Sequence, residues 1–139
     1  MRRFVLDASV ALAWFLDQPV ASVASKARQA LIDGSRALVP ALWVFEIANG
    51  FVVAERRTLI TEPEANQSLA ELDQLLVQAV EITSDIIPAP RLLTLSRGFR
   101  LSAYDAAYLE TAQRELLPLA TLDQRLRAAA TRAGIELFR

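Results

Sequence analysis

The sequence contains no cysteine and no histidine, and its only lysine is Lys26. These absences exclude disulfides, thiol nucleophiles, zinc sites built from thiolate or imidazole, and acid–base catalysis by histidine. Any catalytic chemistry must therefore use oxygen groups. Only 4 glycines and 6 prolines interrupt 139 residues that are 53% hydrophobic, which indicates a globular chain rather than a disordered one. We expect one domain over residues 1–139, because a chain of this length can bury one sizeable core.

No membrane span or export signal is predicted. The start, MRRFVL, resembles a signal peptide, but Asp7 interrupts its apolar run. The apolar stretch 37–54 is broken by Pro40, Glu46 and Asn49, and falls short of the ~20 uninterrupted apolar residues that a transmembrane helix needs. We therefore expect a soluble cytoplasmic protein without a membrane partner. The 15 basic and 16 acidic side chains nearly balance, so net charge alone indicates no binding partner.

Short apolar runs alternate with helical patterns along the chain. We predict strands at 3–6, 37–39, 80–83, 117–121 and 135–138, and helices at 8–15, 20–33, 41–56, 61–78, 84–97, 102–112 and 123–132. Gly98 is expected to end the 84–97 helix, and Ser102 to cap the next one. Parallel neighbouring strands need crossover connections, which the intervening helices supply. The sequence therefore predicts an α/β fold, a three-layer α/β/α sandwich with a central, mostly parallel sheet.

Two aspartates follow predicted strands closely: Asp7 after RFVL and Asp123 after LPLAT. In open parallel sheets, ligands bind at the carboxyl ends of the strands. An aspartate between a strand and a helix is also a common helix cap, and Thr121 with Gln124 resembles a capping box. Taken singly, each of the two aspartates therefore favours a capping role.

Glu46 and Asp105 lie in predicted helices that are otherwise apolar. WVFEIANGFVVA is apolar nearly all round and is expected to be a deeply buried helix, in which Glu46, Asn49 and Gly50 form a polar notch. In LSAYDAAYLETA, Asp105 points along the apolar stripe while Glu110 is turned away. A buried, unpaired carboxylate is costly or becomes neutral, so each acid needs a partner, and an arginine is the plain structural alternative. The apolar side of the second helix is expected to comprise Ala103, Tyr104, Ala107, Tyr108, Leu109 and Ala112.

Convergence of these acids at one end of the sheet would require a cation. Two unit charges ~5 Å apart at an effective dielectric constant of ~20 repel each other by about 3 kcal/mol. Coordination by carboxylate oxygens alone favours Mg²⁺ or Mn²⁺. The sequence therefore favours four acids as metal ligands and catalytic residues, namely Asp7, Glu46, Asp105 and Asp123.

These residues resemble the PIN domain, and within it the VapC-type ribonuclease toxins. The resemblance runs through VLDASVALAWFL, VFEIANGF, LSAYDAAYLETA and LATLDQRLRAAA, in that order and over nearly the whole chain. It implies a metal-dependent endoribonuclease that hydrolyses RNA phosphodiester bonds. The family's four acids would then correspond to Asp7, Glu46, Asp105 and Asp123. Polar positions that support this acidic cluster would correspond to Ser9, Asn49 and Thr121.

The same resemblance implies partners. VapC-type toxins usually form homodimers and are inhibited by a cognate VapB-type antitoxin, whose C-terminal segment lies across the acidic site. The predicted helix around Trp43 and Phe45 has more apolar surface than one contact can hide, which is compatible with such interfaces. The segment RGFR precedes the Asp105 helix, and its two arginines, Arg97 and Arg100, are candidates for holding the RNA backbone near the metal.

Three alternatives remain open. A PIN ribonuclease that acts in RNA processing without an antitoxin fits the same residues. A catalytically inactive PIN-like binding module would use its acids as helix caps, but it predicts that some of the four are missing. A phosphatase or a phospho-accepting receiver also places acids at strand ends. The first normally has a second aspartate where this chain has Ser9, and the second needs a lysine late in the chain, whereas the only lysine is Lys26.

Overall fold

The structure is a computed structural model that describes residues 2–139. Within this range the strands are β1 (Arg3–Leu6), β2 (Arg36–Val39), β3 (Val80–Ile82) and β4 (Leu119–Ala120). The helices described there are α1 (Ala8–Leu16), α2 (Ser22–Ile32), α3 (Leu42–Arg56), α4 (Glu62–Ala79), α5 (Ala89–Phe99), α6 (Ala103–Glu115) and α7 (Gln124–Arg132). The strands form one parallel sheet in the order β3-β2-β1-β4. The predicted α/β/α architecture with a parallel central sheet is confirmed.

Strands β1, β2 and β4 are apolar where they are buried, whereas β3 at the edge of the sheet is largely exposed. Phe4, Val5 and Leu6 of β1 are fully buried, as are Leu119 and Ala120 of β4. A parallel strand with helices on both faces is expected to be a continuous apolar run rather than an alternating one. The amino-acid composition of β1 thus follows from its central place in the sheet.

The strand order reverses at the boundary between β1 and β4. From β1 the chain builds β2 and then β3 on one side, whereas β4 returns to the other side. The N–H of Asp7 donates to the carbonyl oxygen of Ala120 at 2.9 Å, so the ends of β1 and β4 lie side by side. Such a point of reversal, at the carboxyl edge of a parallel sheet, is the usual place for a ligand site.

Helices α1 and α3 approach each other closely at Gly50. A Cβ atom at this position would lie 2.5 Å from Cδ2 of Leu12, so a larger residue would force the Leu12 side chain to move. The absence of a side chain lets α3 lie against the helix that follows β1. Gly50 therefore helps to bring the helix of Glu46 next to the end of the strand that carries Asp7.

Several predicted boundaries are wrong. The helix predicted over 84–97 begins only at Ala89, because Pro88 disfavours helical backbone at the residue before it and serves as the N-cap position. Gly98 lies inside α5, and the helix ends at Phe99, followed by the C-cap residue Arg100 with φ 56°. The helix predicted over 20–33 starts at Ser22. The terminal strand predicted over 135–138 reduces to one isolated bridge between Leu137 and Leu119.

The prediction that α3 is deeply buried is also wrong. One stripe of α3, including Trp43 and Phe51, is buried, whereas Phe45 is 78% exposed and Val52 is also exposed. A helix on the outer layer of a sandwich buries only the face that meets the sheet and its neighbours. Among residues 2–139, no helix combines the length and hydropathy needed to cross a bilayer.

Helix α6 also differs from its predicted orientation. Glu110, expected to face away from the core, is only 8% exposed, and its Oε1 accepts a hydrogen bond from Nε of Arg114 at 3.0 Å. The pairing with Arg114 one turn later makes this burial tolerable. Tyr104, placed on the apolar side by the sequence pattern, is 67% exposed. The middle of α6, residues 106–112, is thus buried on all sides, whereas its first turn is exposed at Ala103 and Tyr104.

Candidate active site

The four predicted acids line one open cleft. Its volume is about 300 Å³, and Ser9, Asn49 and Gly50 lie beside the acids. Two acids come from the ends of strands and two from helices, so four separate elements contribute to the cleft. The acids that line it are Asp7, Glu46, Asp105 and Asp123.

Asp7 is the most buried of these acids, at 5% exposure. It occupies the N-cap position of α1, but its side chain makes no capping hydrogen bond to the helix. Instead its Oδ2 accepts hydrogen bonds from the hydroxyl groups of Ser9 and Thr121, each at 2.7 Å. Burial raises the pKa of Asp7, the two hydroxyl groups oppose that rise, and the charge of Asp123 adds to it. The capping alternative is therefore wrong for Asp7.

The two hydroxyl groups that hold Asp7 are themselves anchored to the backbone after β4. Ser9 Oγ accepts from the N–H of Leu122 at 3.1 Å, and Thr121 Oγ1 accepts from the N–H of Asp123 at 3.1 Å. Because each hydroxyl donates to Asp7 and accepts from this turn, the ends of β1 and β4 are locked together. Arg127 also contributes, since it donates to the Thr121 carbonyl oxygen at 3.1 Å. The sequence pattern gave no indication of this arginine.

Asp123 does cap a helix. Its Oδ1 accepts hydrogen bonds from the N–H groups of Arg125 and Leu126, at 2.9 and 3.0 Å. The capping box suggested by Thr121 and Gln124 does not form, because Asp123 and not Thr121 occupies the N-cap position of α7. The Thr121 hydroxyl accepts from the N–H of Asp123 and donates to Asp7. The cap engages Oδ1 and fixes the side chain at the cleft, so capping and a place in the acidic cluster are compatible for this residue.

Glu46 has a tyrosine partner rather than an arginine. The hydroxyl of Tyr108 donates to Oε1 of Glu46 at 2.5 Å, and Tyr108 itself is fully buried. Burial raises the pKa of Glu46, the Tyr108 hydrogen bond lowers it, and the charges of Asp7 and Asp105 raise it further. Burial and the neighbouring carboxylates also raise the pKa of Tyr108, so this side chain stays a protonated donor.

Tyr108 is the residue of the site that sequence reasoning missed. The sequence pattern places it on the apolar side of α6, and its ring indeed packs in the core. The available signal was its polar end, because a buried tyrosine hydroxyl needs a hydrogen-bond partner. A carboxylate on another apolar helix face, as at Glu46, was an available acceptor.

Asp105 is placed by the start of α6. Its N–H donates to Oγ of Ser102 at 3.1 Å, which confirms Ser102 as the cap and sets Asp105 in the first turn. The carboxylate is half-buried, and burial raises its pKa, with the charges of Asp123 and Asp7 adding to the rise. Arg125 lowers this pKa in part. The Ser102 hydrogen bond also lowers this pKa, but burial and the two carboxylates outweigh both effects.

The donor set of the cleft fits a hard divalent cation. All four charged groups are carboxylates, and the charges of Asp7, Asp105 and Asp123 raise the pKa of other acids in the group. Within residues 2–139, no three acidic side chains are already close enough together to hold a metal ion. The four carboxylates therefore line the cleft as separate oxygen donors. Oxygen donors that lack counter-charge are what Mg²⁺ and Mn²⁺ require.

The structure does not bring the two candidate RNA-binding arginines into the cleft. Arg97 lies in the last turns of α5 and Arg100 directly after it, and both are exposed. Neither belongs to the residues that line the acidic cleft. Asn49, by contrast, lies on α3 one turn after Glu46 and does line it. The arginines therefore remain candidates for contacts outside the acidic cluster.

Comparison with known protein families identifies the fold. A family model for the PIN domain matches residues 4–131. The chain belongs to the PIN domain family. Membership in this family indicates a nuclease, while the VapC-type toxin interpretation stays a prediction. A comparison with curated proteins finds no match.

One solved structure supports the PIN fold. PAE2754 from Pyrobaculum aerophilum superposes on this PIN domain with a TM-score of 0.70 at 18% sequence identity. The match covers 92% of this chain and 84% of that one. At this identity the likeness concerns the fold alone, so the chemistry must be argued from the cleft itself.

Proposed function

We propose that this PIN domain is a metal-dependent endoribonuclease that hydrolyses RNA phosphodiester bonds, of the VapC toxin type. The observation that carries the proposal is the common cleft of the four acids at the carboxyl edge of the sheet. Its openness to solvent suits a polymeric substrate, whose backbone must pass across the site. The absence of histidine and cysteine excludes hydrolysis that uses either side chain, and a metal ion bound by carboxylates is a mechanism that needs neither.

The proposed ligands of Mg²⁺ or Mn²⁺ are Asp7, Glu46, Asp105 and Asp123. When bound, such an ion activates water and stabilises the charge that develops on the phosphate. The remaining side chains position these carboxylates. Ser9 and Thr121 fix one oxygen of Asp7, and Tyr108 fixes one oxygen of Glu46. Asn49 supports the site from the rim of the cleft.

The proposed partners follow from the toxin type. RNA is the substrate, and the exposed Arg97 and Arg100 would contact its backbone outside the acidic cluster. A homodimer and a VapB-type antitoxin need apolar docking surface, and exposed apolar side chains such as Val52, Ile86 and Leu93 support such interfaces. A toxin of this type acts on cytoplasmic RNA, so we place the protein in the cytoplasm.

The inactive binding module is the less supported alternative. It would use its acids as helix caps, but of the two strand-end acids only Asp123 caps a helix, whereas Asp7 is held by two hydroxyl groups. A PIN ribonuclease without an antitoxin would use the same cleft. A neighbouring gene for a short DNA-binding protein would distinguish the toxin from this alternative.

The proposal is tested by cleavage of a mixed RNA pool with Mg²⁺, with Mn²⁺ and with EDTA. We expect cleavage that requires the ion and falls at least about 100-fold in Asp105→Asn. Asp73→Asn is the matched control, because it removes the same charge from the exposed surface of α4. Cleavage that survives EDTA or Asp105→Asn would contradict the proposal, as would an intact RNA pool with either ion.

A further inference from the structure

A second groove adjoins the acidic cleft. Its volume is about 370 Å³, and its lining is mainly apolar, with Leu42, Phe45 and Tyr104 as the large side chains. Glu46 and Asn49 line both this groove and the acidic cleft, so the two hollows meet at these residues. We name it the aromatic groove. An occupant of the aromatic groove would lie directly beside the acids.

The two most exposed aromatic side chains of the protein line this groove. Phe45 is 78% exposed and Tyr104 is 67% exposed, whereas the other aromatic side chains are buried or partly buried. All aromatic residues of the sequence lie within the range that the structure describes. An exposed aromatic ring does not contribute the free energy that its burial would give to folding. Two such rings side by side on the surface therefore indicate a binding role.

Each exposed ring directly precedes an acid of the cleft. Phe45 precedes Glu46 on α3, and Tyr104 precedes Asp105 on α6. Consecutive helical residues are about 100° apart around the axis. The two helices that direct acids into the cleft therefore hold aromatic rings on its flank.

We propose that the aromatic groove is a nucleobase subsite, in which the base next to the scissile phosphate stacks on Phe45 and Tyr104. This inference rests on the proposed ribonuclease function. Bases of single-stranded RNA are commonly recognised by stacking on exposed aromatic rings. A nucleotide joins an uncharged flat ring to an anionic phosphate, which matches an apolar groove beside an ion-binding cleft. Asn49, at the junction, offers an amide donor and acceptor to the base edge or the ribose.

Charge excludes the reverse orientation. Among residues 2–139, Glu46 is the one carboxylate in the lining of the aromatic groove, and no cationic side chain of that range lines it. A phosphate in this groove would meet a negative side chain without compensation, whereas a base would not. The base, and not the backbone, is therefore the part of RNA that this groove takes.

The first test is steady-state cleavage of a short single-stranded RNA by Phe45→Ala and Tyr104→Ala. Loss of one stacked base costs about 5- to 150-fold in binding, so we expect KM to rise about ten-fold with little change in kcat. Tyr104→Phe keeps the ring, so it should raise KM far less than Tyr104→Ala does. Val77→Ala, at an exposed apolar position on α4 outside the groove, is the control. An unchanged KM in both alanine variants overturns the proposal.

The second test removes the base instead of the ring. Abasic substrates are made with the missing base on either side of the scissile bond in turn. Wild-type protein should lose about ten-fold on one of them, and Phe45→Ala should lose almost nothing further on that same substrate. Independent, additive losses would show that ring and base do not meet, which contradicts the proposal.

A binding measurement separates this inference from the nuclease function. Asp105→Asn protein is titrated with RNA that carries 2-aminopurine at the flanking position, and stacking should quench its fluorescence. Quenching that Phe45→Ala abolishes supports the subsite even where the wild type cleaves no RNA. RNA cleavage by the wild type without any fluorescence quenching would support the nuclease function and refute the base-binding subsite. Loss of a dimer in Phe45→Ala, with RNA binding unchanged, assigns the groove to a second copy of the chain and also refutes it.

Discussion

Tyr108 shows how one buried hydroxyl determines the position of a candidate catalytic carboxylate. Its ring packs in the core, and its hydroxyl reaches Oε1 of Glu46 on a different helix. Sequence separation between these residues is large, so the contact exists only because α3 and α6 meet beside the sheet. The stereochemistry of the cleft therefore depends on a residue that need not touch RNA.

Tyr108→Phe should lower both stability and activity. The substitution keeps the ring and removes the hydroxyl, so we expect a loss of about 1 kcal/mol in the free energy of unfolding. Glu46 would lose its donor, and cleavage should fall about ten-fold because the carboxylate is no longer held. Urea unfolding and RNA cleavage measure the two effects.

Glu46→Gln is the companion variant for this prediction. Its amide oxygen still accepts from Tyr108, so the fold should be retained while ion binding is weakened. An equal stability of Tyr108→Phe and the wild type would show that the hydroxyl contributes no net free energy to folding.

At the scale of single elements, helices α6 and α7 end in similar backbone conformations but with different residues in the left-handed position. Both helices are followed by a residue with left-handed backbone, Leu116 with φ 55° and Gly134 with φ 75°. A left-handed conformation costs a residue with a Cβ atom about 1–2 kcal/mol, and glycine avoids this cost. Leu116 is 89% exposed, so its side chain makes little compensating contact.

Leu116→Gly should therefore stabilise the protein. Relief of backbone strain exceeds the extra chain entropy of glycine, and we expect a gain of about 0.5–1 kcal/mol in the free energy of unfolding. Gly134→Ala is the reciprocal change and should lose about 1 kcal/mol, since an added Cβ meets no atom within 4 Å and only the backbone is strained. Thermal unfolding measures both. A destabilised Leu116→Gly protein would mean that the exposed leucine contributes more than its conformation costs.

Single helices and strands also show which features local sequence signals can predict. Local signals were sufficient for β1, for the Ser102 cap, and for the start of α4, where Thr61 and Glu64 form the full capping box. They failed for Glu110 and Phe45. The burial of these two residues depends on which face of the helix meets its neighbours, and hydrophobic periodicity in nearly uniform apolar segments does not determine that face.

At the scale of the whole molecule, the sequence located half of the acidic cluster by topology. Asp7 and Asp123 follow neighbouring parallel strands, so they had to lie at one edge of the sheet. The arrival of Glu46 and Asp105 at the same edge depends on tertiary packing, including the close approach of Leu12 to Gly50. No local pattern encodes that approach. The sequence therefore predicts the convergence of the four acids only as a hypothesis, and their relative positions are seen only in the folded structure.

The gathered acids should make the ion-free protein less stable as the pH rises. Folding raises the pKa values of Asp7, Glu46 and Asp105 above their ordinary value of about 4, chiefly through burial. Between that value and the raised ones the folded state binds more protons than the unfolded state. The free energy of unfolding must then decrease as the pH rises through this interval, and this contribution is fully present only below about pH 4. Urea unfolding in EDTA across this pH range measures the slope.

Asp105→Asn and Mn²⁺ should each reverse this loss at neutral pH. The substitution removes one repelling, partly desolvated charge, so the ion-free variant should unfold at a higher temperature than the wild type, while Asp73→Asn should not differ. Mn²⁺ that binds only the folded state stabilises it by about 2.7 kcal/mol at 100 times its Kd. This gain should appear in the wild type, disappear with EDTA, and be much smaller in Asp105→Asn. Equal Mn²⁺ shifts in the wild type and Asp105→Asn would place the ion elsewhere and contradict the proposed role of Asp105 as one of its ligands.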